Sequence, residues 1–537
     1  MLPDTTVTEF RMRPLRAARH AVAACLIGLS LCAPANAADL RVGIKADPAL
    51  DPQFLYLAPN IAIARHMFEP LVATNADETP DARLAVSWKA ISDTEWEFKL
   101  RPNVKFSDGS PFTAEDVIFS MDRVKAIPNN PNPYTAGLRT VTDVSAPDPL
   151  TLRIKTDIPN PTLPIQLRII SIVSHIAARD AMPADFASGK AAVGTGPFTF
   201  KSFTPGDRLI LRRNEGYWGK KPAFENVTFR VMLNDSSRVA ALLAGDVDAI
   251  DTVPPQDAAR LKTDPAQTVF VIESDRIIYL ALNALPDRME WFTDANGKEL
   301  PGNPYKDARV RLAVSKAIDR KALVARGLDG LGVPAGQMVP TGFDGYVSSI
   351  KAPEVDVKGA KALLKEAGYP NGFGMTVACS NGRYVNDGNI CQMLGSLLTR
   401  AGMPTKVEVM PPVIFFSKIR AADPQYALMM IGWGSGTGSA LNALTDAMHS
   451  YDPKNGMGAN TRGTNNAEMD RIIEQAAGTF DDAKRTQLMQ DAIKVLHRDT
   501  VAVPLYAEMT VLAARKGIVI EPRKDQQTIV TNWKPAQ

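Results

Sequence analysis

Apolar and polar positions alternate or cluster in short runs along the chain, and such runs predict β-strands. They lie at residues 40–44, 96–100, 151–154 and 209–211. Apolar positions three and four residues apart predict helices at 113–124, 307–325 and 486–497, with Thr113 as N-cap of the first and Asp116 at its third helical position. Strands and helices alternate without a long βαβ period, which indicates α/β lobes with mixed sheets.

The N-terminus carries the features of a secretory signal peptide. An apolar run at 21–32 precedes Ala35-Asn36-Ala37, a small-x-small cleavage site, and follows a basic region made of Arg11, Arg13, Arg16 and Arg19. The run is shorter than the ~20 apolar residues of a membrane-spanning helix. We expect cleavage near Ala37 and export to the periplasm, and Met12 could be the true start.

Lipid anchoring is the competing interpretation of this segment. Residues 22–25 fit a lipobox that ends at Cys25, but little apolar sequence precedes it. Residues 29–32 end at Cys32 and have the large residue Leu31 where a small residue is expected. A cleaved signal peptide is therefore favoured over a lipidated one.

Size and charge exclude several classes of protein. The 61 basic and 58 acidic residues become 57 and 56 without residues 1–37, which hold four arginines, Asp4 and Glu9. No basic tract indicates a nucleic-acid partner. No later apolar run is long enough for a membrane span, so the exported form should be soluble. About 500 residues exceed one core, so at least two domains are expected.

Two cysteines remain once the signal peptide is removed. Cys379 and Cys391 lie close in sequence, and in an oxidising compartment they are candidates for one disulfide. The alternative is two separate buried thiols.

The residues offer little catalytic chemistry. The exported chain has no histidine or cysteine pair with metal-ligand spacing, no G-x-S-x-G elbow and no Walker A loop, so neither a metal nor a cofactor is expected. Glycines alternate at 432–438, but no βαβ frame supports a dinucleotide site. The remaining histidines are His66, His175, His449 and His497.

Ordered sequence blocks resemble the family 5 solute-binding proteins of ABC importers, which bind dipeptides, oligopeptides or nickel. The signature begins with Leu84-Ala85-Val86-Ser87-Trp88 and continues through Phe106-Ser107-Asp108-Gly109-Ser110-Pro111-Phe112. Further blocks lie at 194–198, 213–219, 242–248, 307–320 and 432–438. We expect Tyr217 and Trp218 to pack beneath a lobe without contacting a ligand.

The resemblance implies a two-lobed α/β fold of the periplasmic-binding-protein type II, or Venus-flytrap, class. We expect the first lobe at 38–290 with an extra subdomain inserted at about 80–205, the second lobe at 291–505, and a C-terminal return to the first lobe at 506–537. The implied role is non-catalytic: a monomer captures a peptide or peptide-like solute in the interlobe cleft and delivers it to the membrane permease.

In dipeptide-binding relatives, an arginine of the second lobe pairs with the ligand carboxylate. Arg383 falls at the matching position, and a guanidinium can grip a carboxylate in a bidentate fork. The alternative is that Arg383 caps a nearby helix or pairs with Asp387. The resemblance thus makes Arg383 the candidate anion-binding residue.

The same relatives pair the ligand ammonium with an aspartate shortly after the Gly-Trp motif. Here Gly436 falls at that position, so either another carboxylate such as Asp446 replaces it or the ligand lacks a free α-amine. N-acylated or cyclic peptides and opine-like conjugates fit the second case. The other candidate ligand-binding residues of this loop are Trp433, Gly434, Ser435 and Thr437.

The sequence is also compatible with other functions. A nickel or metal-chelate binder is the nearest alternative in the family, although histidine and cysteine clusters are missing from the sequence. A secreted hydrolase would need a nucleophile and base that we do not find. A chaperone-like or signalling receptor on the same fold is a further alternative.

Overall fold

The computed structural model describes residues 39–287, 291–294, 296–419, 426–458, 463 and 465–536. The predicted signal peptide and both lipobox alternatives lie outside these residues. None of the helices within the described ranges has the length and apolar content that a bilayer crossing requires.

The chain up to residue 282 alternates strands with short helices. Its strands are β1 (Leu40–Ile44), β2 (Val72–Thr74), β3 (Pro80–Ala82), β4 (Ala85–Ser92), β5 (Glu95–Leu100), β6 (Val141–Asp148), β7 (Thr151–Thr156), β8 (Phe198–Thr204), β9 (Arg208–Arg213), β10 (Asn226–Val231), β11 (Ala249–Ile250) and β12 (Gln267–Leu282). Its helices are α1 (Ala58–Met67), α2 (Ala114–Ala126), α3 (Leu163–Gln166), α4 (Pro183–Ala187), α5 (Asp235–Ala244) and α6 (Pro255–Thr263).

The rest of the chain has longer helices. Its strands are β13 (Gly332–Pro334), β14 (Met375–Ser380), β15 (Thr405–Met410), β16 (Leu428–Trp433), β17 (Ala502–Arg515), β18 (Ile518–Val519) and β19 (Lys534–Pro535). Its helices are α7 (Ala308–Ala317), α8 (Arg320–Ala322), α9 (Val357–Glu366), α10 (Asp387–Arg400), α11 (Pro412–Ile419), α12 (Ala440–Ala443), α13 (Ala467–Gly478) and α14 (Asp482–Asp499).

Two long strands join the halves of the main sheet. The sheet has the order β15-β14-β16-β12-β17-β11-β1-β10-β9-β8, and β13 pairs with β17 beside this path. The central pair, β12 and β17, is antiparallel and interrupted by register shifts. We call residues 39–266 and 516–536 the first lobe, residues 283–501 the second lobe, and β12 and β17 the crossover strands. The fold is thus two-lobed, as expected, while the predicted boundaries at 290 and 505 stay predictions.

Alternation along β12 divides the core of the second lobe. Ile278 and Leu280 pack on one face of the sheet with α7 and α10. Ile277 and Tyr279 pack on the other face with α13 and α14. Because successive side chains of a strand point to opposite faces, one strand serves both layers. In the first lobe a separate sheet, β4-β5-β7-β6, covers its own core.

The predicted elements are largely present. The runs at 40–44, 96–100, 151–154 and 209–211 fall in β1, β5, β7 and β9, and the helix predicted at 486–497 lies inside α14. The Asp116 carboxylate accepts the Thr113 N–H at 2.9 Å at the start of α2, the capping arrangement expected there. The periodicity therefore identified these elements correctly.

The single helix predicted at 307–325 was wrong in extent. Helix α7 ends at Ala317, and Asp319 then begins a second helical segment, since its side chain accepts the Ala322 N–H at 2.9 Å. The buried Arg320 guanidinium bonds to the Pro504 carbonyl at 2.7 Å. A new N-cap and this long-range bond favour a break that local periodicity does not reveal.

The predicted disulfide is present. Cys379 on β14 and Cys391 on α10 are bonded, with Cα atoms 6.3 Å apart, and both are fully buried. The alternative of two free thiols is therefore wrong. The bond closes a loop that includes Arg383, so it restrains the segment that carries this candidate ligand-binding residue.

Candidate functional site

The candidate residues follow the carboxyl ends of parallel strands. β14 is parallel to β15 and β16, and it ends at Ser380 just before Arg383. β16 ends at Trp433, the first residue of the Gly-Trp loop, which we define as residues 433–438. In open α/β sheets, ligands bind outside the carboxyl ends of the strands. The topology therefore brings Arg383 and the Gly-Trp loop to the edge that faces the first lobe.

The two lobes contact each other directly across this edge. Arg168 of the first lobe donates from Nη2 to the Ser435 carbonyl at 2.9 Å. Arg139 donates from Nη1 to the Gly456 carbonyl at 2.7 Å. The lobes are therefore in a closed arrangement, and two cavities lie between them.

The first cavity has a volume of about 320 Å³ and lies between the start of α1, the end of β11 and the loop after β14. Its charged lining residues come from both lobes and both crossover strands. They are Lys45, Asp251, Arg276, Arg383 and Glu508. A cavity of this size accommodates a small solute.

Arg383 is the cation of this cavity that lacks an acidic partner. Its guanidinium lies 5.2 Å from the centre of the Tyr384 ring. No carboxylate of the described residues is within ion-pair distance of it. The Asp387 carboxylate accepts the backbone N–H of Arg383 at 3.0 Å and does not pair with the Arg383 guanidinium. The alternative of an Arg383–Asp387 ion pair was therefore wrong. Burial and the positive charge of nearby Arg276 lower the pKa of Arg383.

Other charges of the first cavity are paired. Glu508 lies 3.5 Å from Arg276 and accepts the Val385 N–H at 3.0 Å, which ties the Arg383 loop to β17. Asp251 accepts the Lys45 N–H at 2.9 Å. Arg383 is therefore available for an anionic group of a solute.

The second cavity has a volume of about 240 Å³ and holds most of the candidates from the Gly-Trp loop. Four of them line it: Trp433, Gly434, Ser435 and Thr437. The indole N–H of Trp433 donates to Asn442 Oδ1 at 3.1 Å, which fixes the ring. The predicted site residues thus separate: Arg383 borders the first cavity, these four border the second, and Gly436 borders neither.

Gly436 lies beside a guanidinium. Its φ is +59°, and a Cβ at this position would stand 2.8 Å from Nη2 of Arg168. The position at which dipeptide-binding relatives are expected to have an acid is therefore adjacent to a cation here. Sequence reasoning missed Arg168 because it lies far from residue 436 along the chain.

Arg168 also lines the second cavity without an ion-pair partner among the described residues. It donates to the carbonyls of Ser435 and Ile165, at 2.9 Å and 3.3 Å. A guanidinium has five N–H donors, so several remain for a solute. Arg168 is a second candidate for contact with an anionic group.

Asp446, the suggested substitute for the missing acid, is engaged. Its carboxylate accepts from Asn442 at 2.9 Å and from Thr445 at 3.2 Å, and Arg139 lies 3.7 Å away. Burial raises its pKa. It lines the second cavity, but these partners already use its oxygens.

Two other carboxylates that sequence reasoning missed touch the Gly-Trp loop. Asp275 on β12 accepts the Gly436 N–H at 2.7 Å. Glu78 of the first lobe accepts the Gly438 N–H at 2.9 Å. Neither side chain lines either cavity.

Tyr217 and Trp218 lie away from both cavities. They donate to the buried Glu69 carboxylate, each at 2.8 Å, and Arg101 lies over the Trp218 ring at 4.1 Å. Their predicted packing role agrees with this position. Searching the described ranges for three or more His, Cys, Asp or Glu side chains able to hold a metal finds no such group.

Comparison with known proteins gives a consistent assignment. Residues 79–455 match the family described as bacterial extracellular solute-binding proteins, family 5 Middle. The glutathione-binding protein GsiB of Escherichia coli O157:H7 is 26% identical over 493 residues, covering 90% of this chain and 91% of GsiB. The probable D,D-dipeptide-binding periplasmic protein DdpA of Escherichia coli K12 is 28% identical over 509 residues, covering 91% and 92%.

Solved structures share the fold. The binding protein AgaA of A. tumefaciens R10, in complex with agropinic acid, aligns with a TM-score of 0.76 and 23% identity, covering 93% of this chain and 99% of AgaA. The Escherichia coli murein tripeptide binding protein MppA aligns with a TM-score of 0.74 and 22% identity, covering 93% and 98%. With the family match over most of its length, the chain belongs to the family 5 bacterial extracellular solute-binding proteins.

Proposed function

We propose that this protein captures a small, anionic, peptide-like solute that presents no free α-ammonium to the Gly-Trp loop. The solute is enclosed between the two lobes and delivered to the permease of an ABC importer. Hinge closure around a ligand is an established mode of switching, and it requires no catalytic step.

The observation that carries this proposal is the contact between Arg168 and Gly436. A solute ammonium that approached the Gly-Trp loop from the second cavity would meet the guanidinium of Arg168, which lines that cavity and lies with Nη2 2.8 Å from the Cβ position of residue 436. Like charges at such a distance repel, whereas a carboxylate or acyl oxygen would accept from the same donors. The charge at this end of the cleft therefore selects against a free amine.

Arg383 supports a second anionic contact. It borders the first cavity and has no acidic partner among the described side chains. A solute with two anionic or acyl groups could use Arg383 and Arg168 together. The modest cavity volumes, about 320 and 240 Å³, favour a molecule of di- or tripeptide size.

The names of the relatives agree with the size and acidity of the proposed solute. They include a glutathione-binding protein, a probable D,D-dipeptide-binding protein, and a binding protein in complex with agropinic acid. A peptide-like acid is the chemistry common to these names.

The working location in this proposal is the periplasm. The predicted signal peptide at 1–37 would direct export, and a receptor for an importer must lie on the outer side of the permease. Cys25 or Cys32 would anchor the protein to lipid in the alternative interpretation.

A thermal-shift screen of ligand-free, refolded protein tests the proposal. The panel holds free di- and tripeptides, glutathione, N-acetylated peptides, opines and nickel chelates. A ligand at 100 times its Kd stabilises the folded state by about 2.7 kcal/mol. We expect the strongest stabilisation from acidic solutes whose α-amine is blocked or absent.

Matched variants show whether the proposed residues hold the solute. Arg168→Ala and Arg383→Ala should each reduce the shift, while Arg179→Ala, at an exposed arginine outside both cavities, should leave it unchanged. Stabilisation confined to peptides with a free α-amine, or to nickel chelates, would refute the proposal.

A further inference from the structure

Two carboxyl groups from distant parts of the chain meet beside the Gly-Trp loop. Glu78 lies in the turn between β2 and β3 of the first lobe and is fully buried, and Asp275 lies in β12 and is 5% exposed. Each uses one oxygen to accept a backbone N–H of the loop, from Gly438 and Gly436 respectively. We call Glu78 and Asp275 the carboxyl pair.

Each member of the carboxyl pair keeps one buried oxygen without a hydrogen-bond partner among the described residues. These atoms are Oε1 of Glu78 and Oδ1 of Asp275. A buried carboxylate oxygen left in this way destabilises the folded state, because it has lost its bonds to water. A proton shared by the two groups would satisfy both oxygens, because a protonated carboxyl group is a donor.

The surroundings do not supply a cation in place of that proton. Arg168 attracts Glu78 and Arg276 attracts Asp275, but neither arginine forms an ion pair with the carboxyl pair in the described part of the structure. Asp525 adds negative charge, although its own carboxylate pairs with Arg523 at 2.7 Å and lies 3.7 Å from Arg65. Burial is the main cause that raises the pKa of both Glu78 and Asp275. The charge of Asp275 adds to the rise at Glu78, and the charge of Asp525 adds to the rise at Asp275.

The backbone of Glu78 is in a conformation that suits glycine. Its φ is +71°, in the left-handed region, which is unfavourable for a residue with a side chain. Strain of this kind is concentrated at functional sites, where the surrounding structure holds it in place.

We propose that Glu78 and Asp275 form a proton-binding site that is completed only when the two lobes close, so that closure takes up one proton. Glu78 belongs to the first lobe and its partner Gly438 to the second, so opening the lobes breaks their contact and hydrates Glu78. The carboxyl pair borders neither cavity, so the proposed occupant is a proton and not a solute ammonium.

The direction of the pH effect follows from this arrangement. The closed form holds the raised pKa and therefore binds more protons than the open form, in which Glu78 returns to an ordinary carboxyl pKa. Lower pH thus favours closure. Glu78 has a lower pKa in the open form and a higher pKa in the closed form. Between these two pKa values, each unit of rising pH should reduce the ratio of closed to open protein by up to about tenfold.

Small-angle X-ray scattering of the purified, ligand-free protein at pH 5.5 and pH 8.5 tests this inference. We expect a larger radius of gyration at pH 8.5. Glu78→Gln should remain compact at both values, because its amide donates permanently where the shared proton would. Asp77→Asn, which removes the exposed neighbouring carboxylate, should behave like the original protein.

Three results would overturn the proton site. These are an unchanged radius in the original protein, the same expansion in Glu78→Gln, and closure at pH 8.5 on adding glycylglycine but not N-acetylglycylglycine. The last result would assign the carboxyl pair to a solute ammonium. The first two results are obtained without a solute, so they do not depend on whether the proposed function is correct.

Discussion

The guanidinium of Arg168 stands 2.8 Å from the point where a side chain on residue 436 would begin. A cation from the first lobe thus lies beside the position at which the family resemblance implies an acid. In the proposed function, this difference sets the charge that a solute meets at one end of the cleft.

Restoring the acid should reverse the preference of the cleft. We expect Gly436→Asp to pair with Arg168 and to weaken binding of amine-blocked acidic solutes by about tenfold or more, equivalent to ~1.4 kcal/mol. Gly436→Asn has a similar shape and shares the strain of the positive φ, so it isolates the charge. Calorimetric titration of both variants measures the effect, and equal affinities in the two would contradict it.

Removing the unpaired cation of the first cavity should affect binding and not folding. Truncation of one partner of a buried charged contact typically costs about 2–5 kcal/mol, so Arg383→Ala should weaken the solute by roughly 30-fold or more. The unfolding free energy without solute should change by less than about 0.5 kcal/mol, because Arg383 has no ion pair to lose. A large loss of ligand-free stability with unchanged affinity would make Arg383 structural.

The Glu69 cluster should contribute to stability alone. Glu69 accepts from Thr195 at 3.0 Å as well as from Tyr217 and Trp218, and all lie outside the cavities. Glu69→Ala leaves these buried donors without an acceptor, so we expect a loss of about 3–5 kcal/mol in denaturant unfolding. Glu69→Gln keeps one acceptor oxygen and should lose less. A milder effect of alanine than of glutamine would contradict this account.

His66 should make the folded protein less stable at acidic pH. The ring is fully buried, Nε2 accepts the Val530 N–H at 3.1 Å, and burial lowers its pKa to about 4. The unfolded chain takes up a proton near the ordinary pKa of 6.5, so stability present above pH 6.5 is lost as pH falls toward 4, by up to ~1.4 kcal/mol per unit.

Urea unfolding between pH 4 and 6.5 measures this slope. His66→Gln retains an acceptor but cannot titrate, so its stability should vary less with pH across this range. Glu78 and Asp275 are present in both proteins, and their contribution cancels in the comparison. Identical slopes would show that His66 is not responsible.

Sequence patterns correctly predicted the features that residues close together in the chain determine. Hydrophobic periodicity located β1, β5 and α14, and the spacing of Cys379 and Cys391 suggested their bond. The break at Asp319 was missed because a long-range bond from Arg320 to Pro504 supports it. Periodicity reports which face of an element is apolar, but not where a distant partner ends it.

The candidate site shows the same division. Resemblance to a family indicated Arg383 and the empty acidic position at Gly436, since both lie in recognisable motifs. Arg168, Glu78 and Asp275 come from three separate segments. The closed lobes bring Arg168 and Glu78 to the Gly-Trp loop, and the pairing of β12 with β16 brings Asp275 to it. No spacing in the sequence could have predicted their contact with it.

The central claim is that the cleft selects a solute without a free α-ammonium. The most direct measurement is calorimetric titration of ligand-free protein with the most stabilising solute of the thermal-shift panel, in its free-amine and N-acetylated forms. We predict that the N-acetylated form binds at least about tenfold more tightly, and that Arg168→Ala removes most of this difference. Tight binding of the free amine, with none of the acetylated form, would contradict the account.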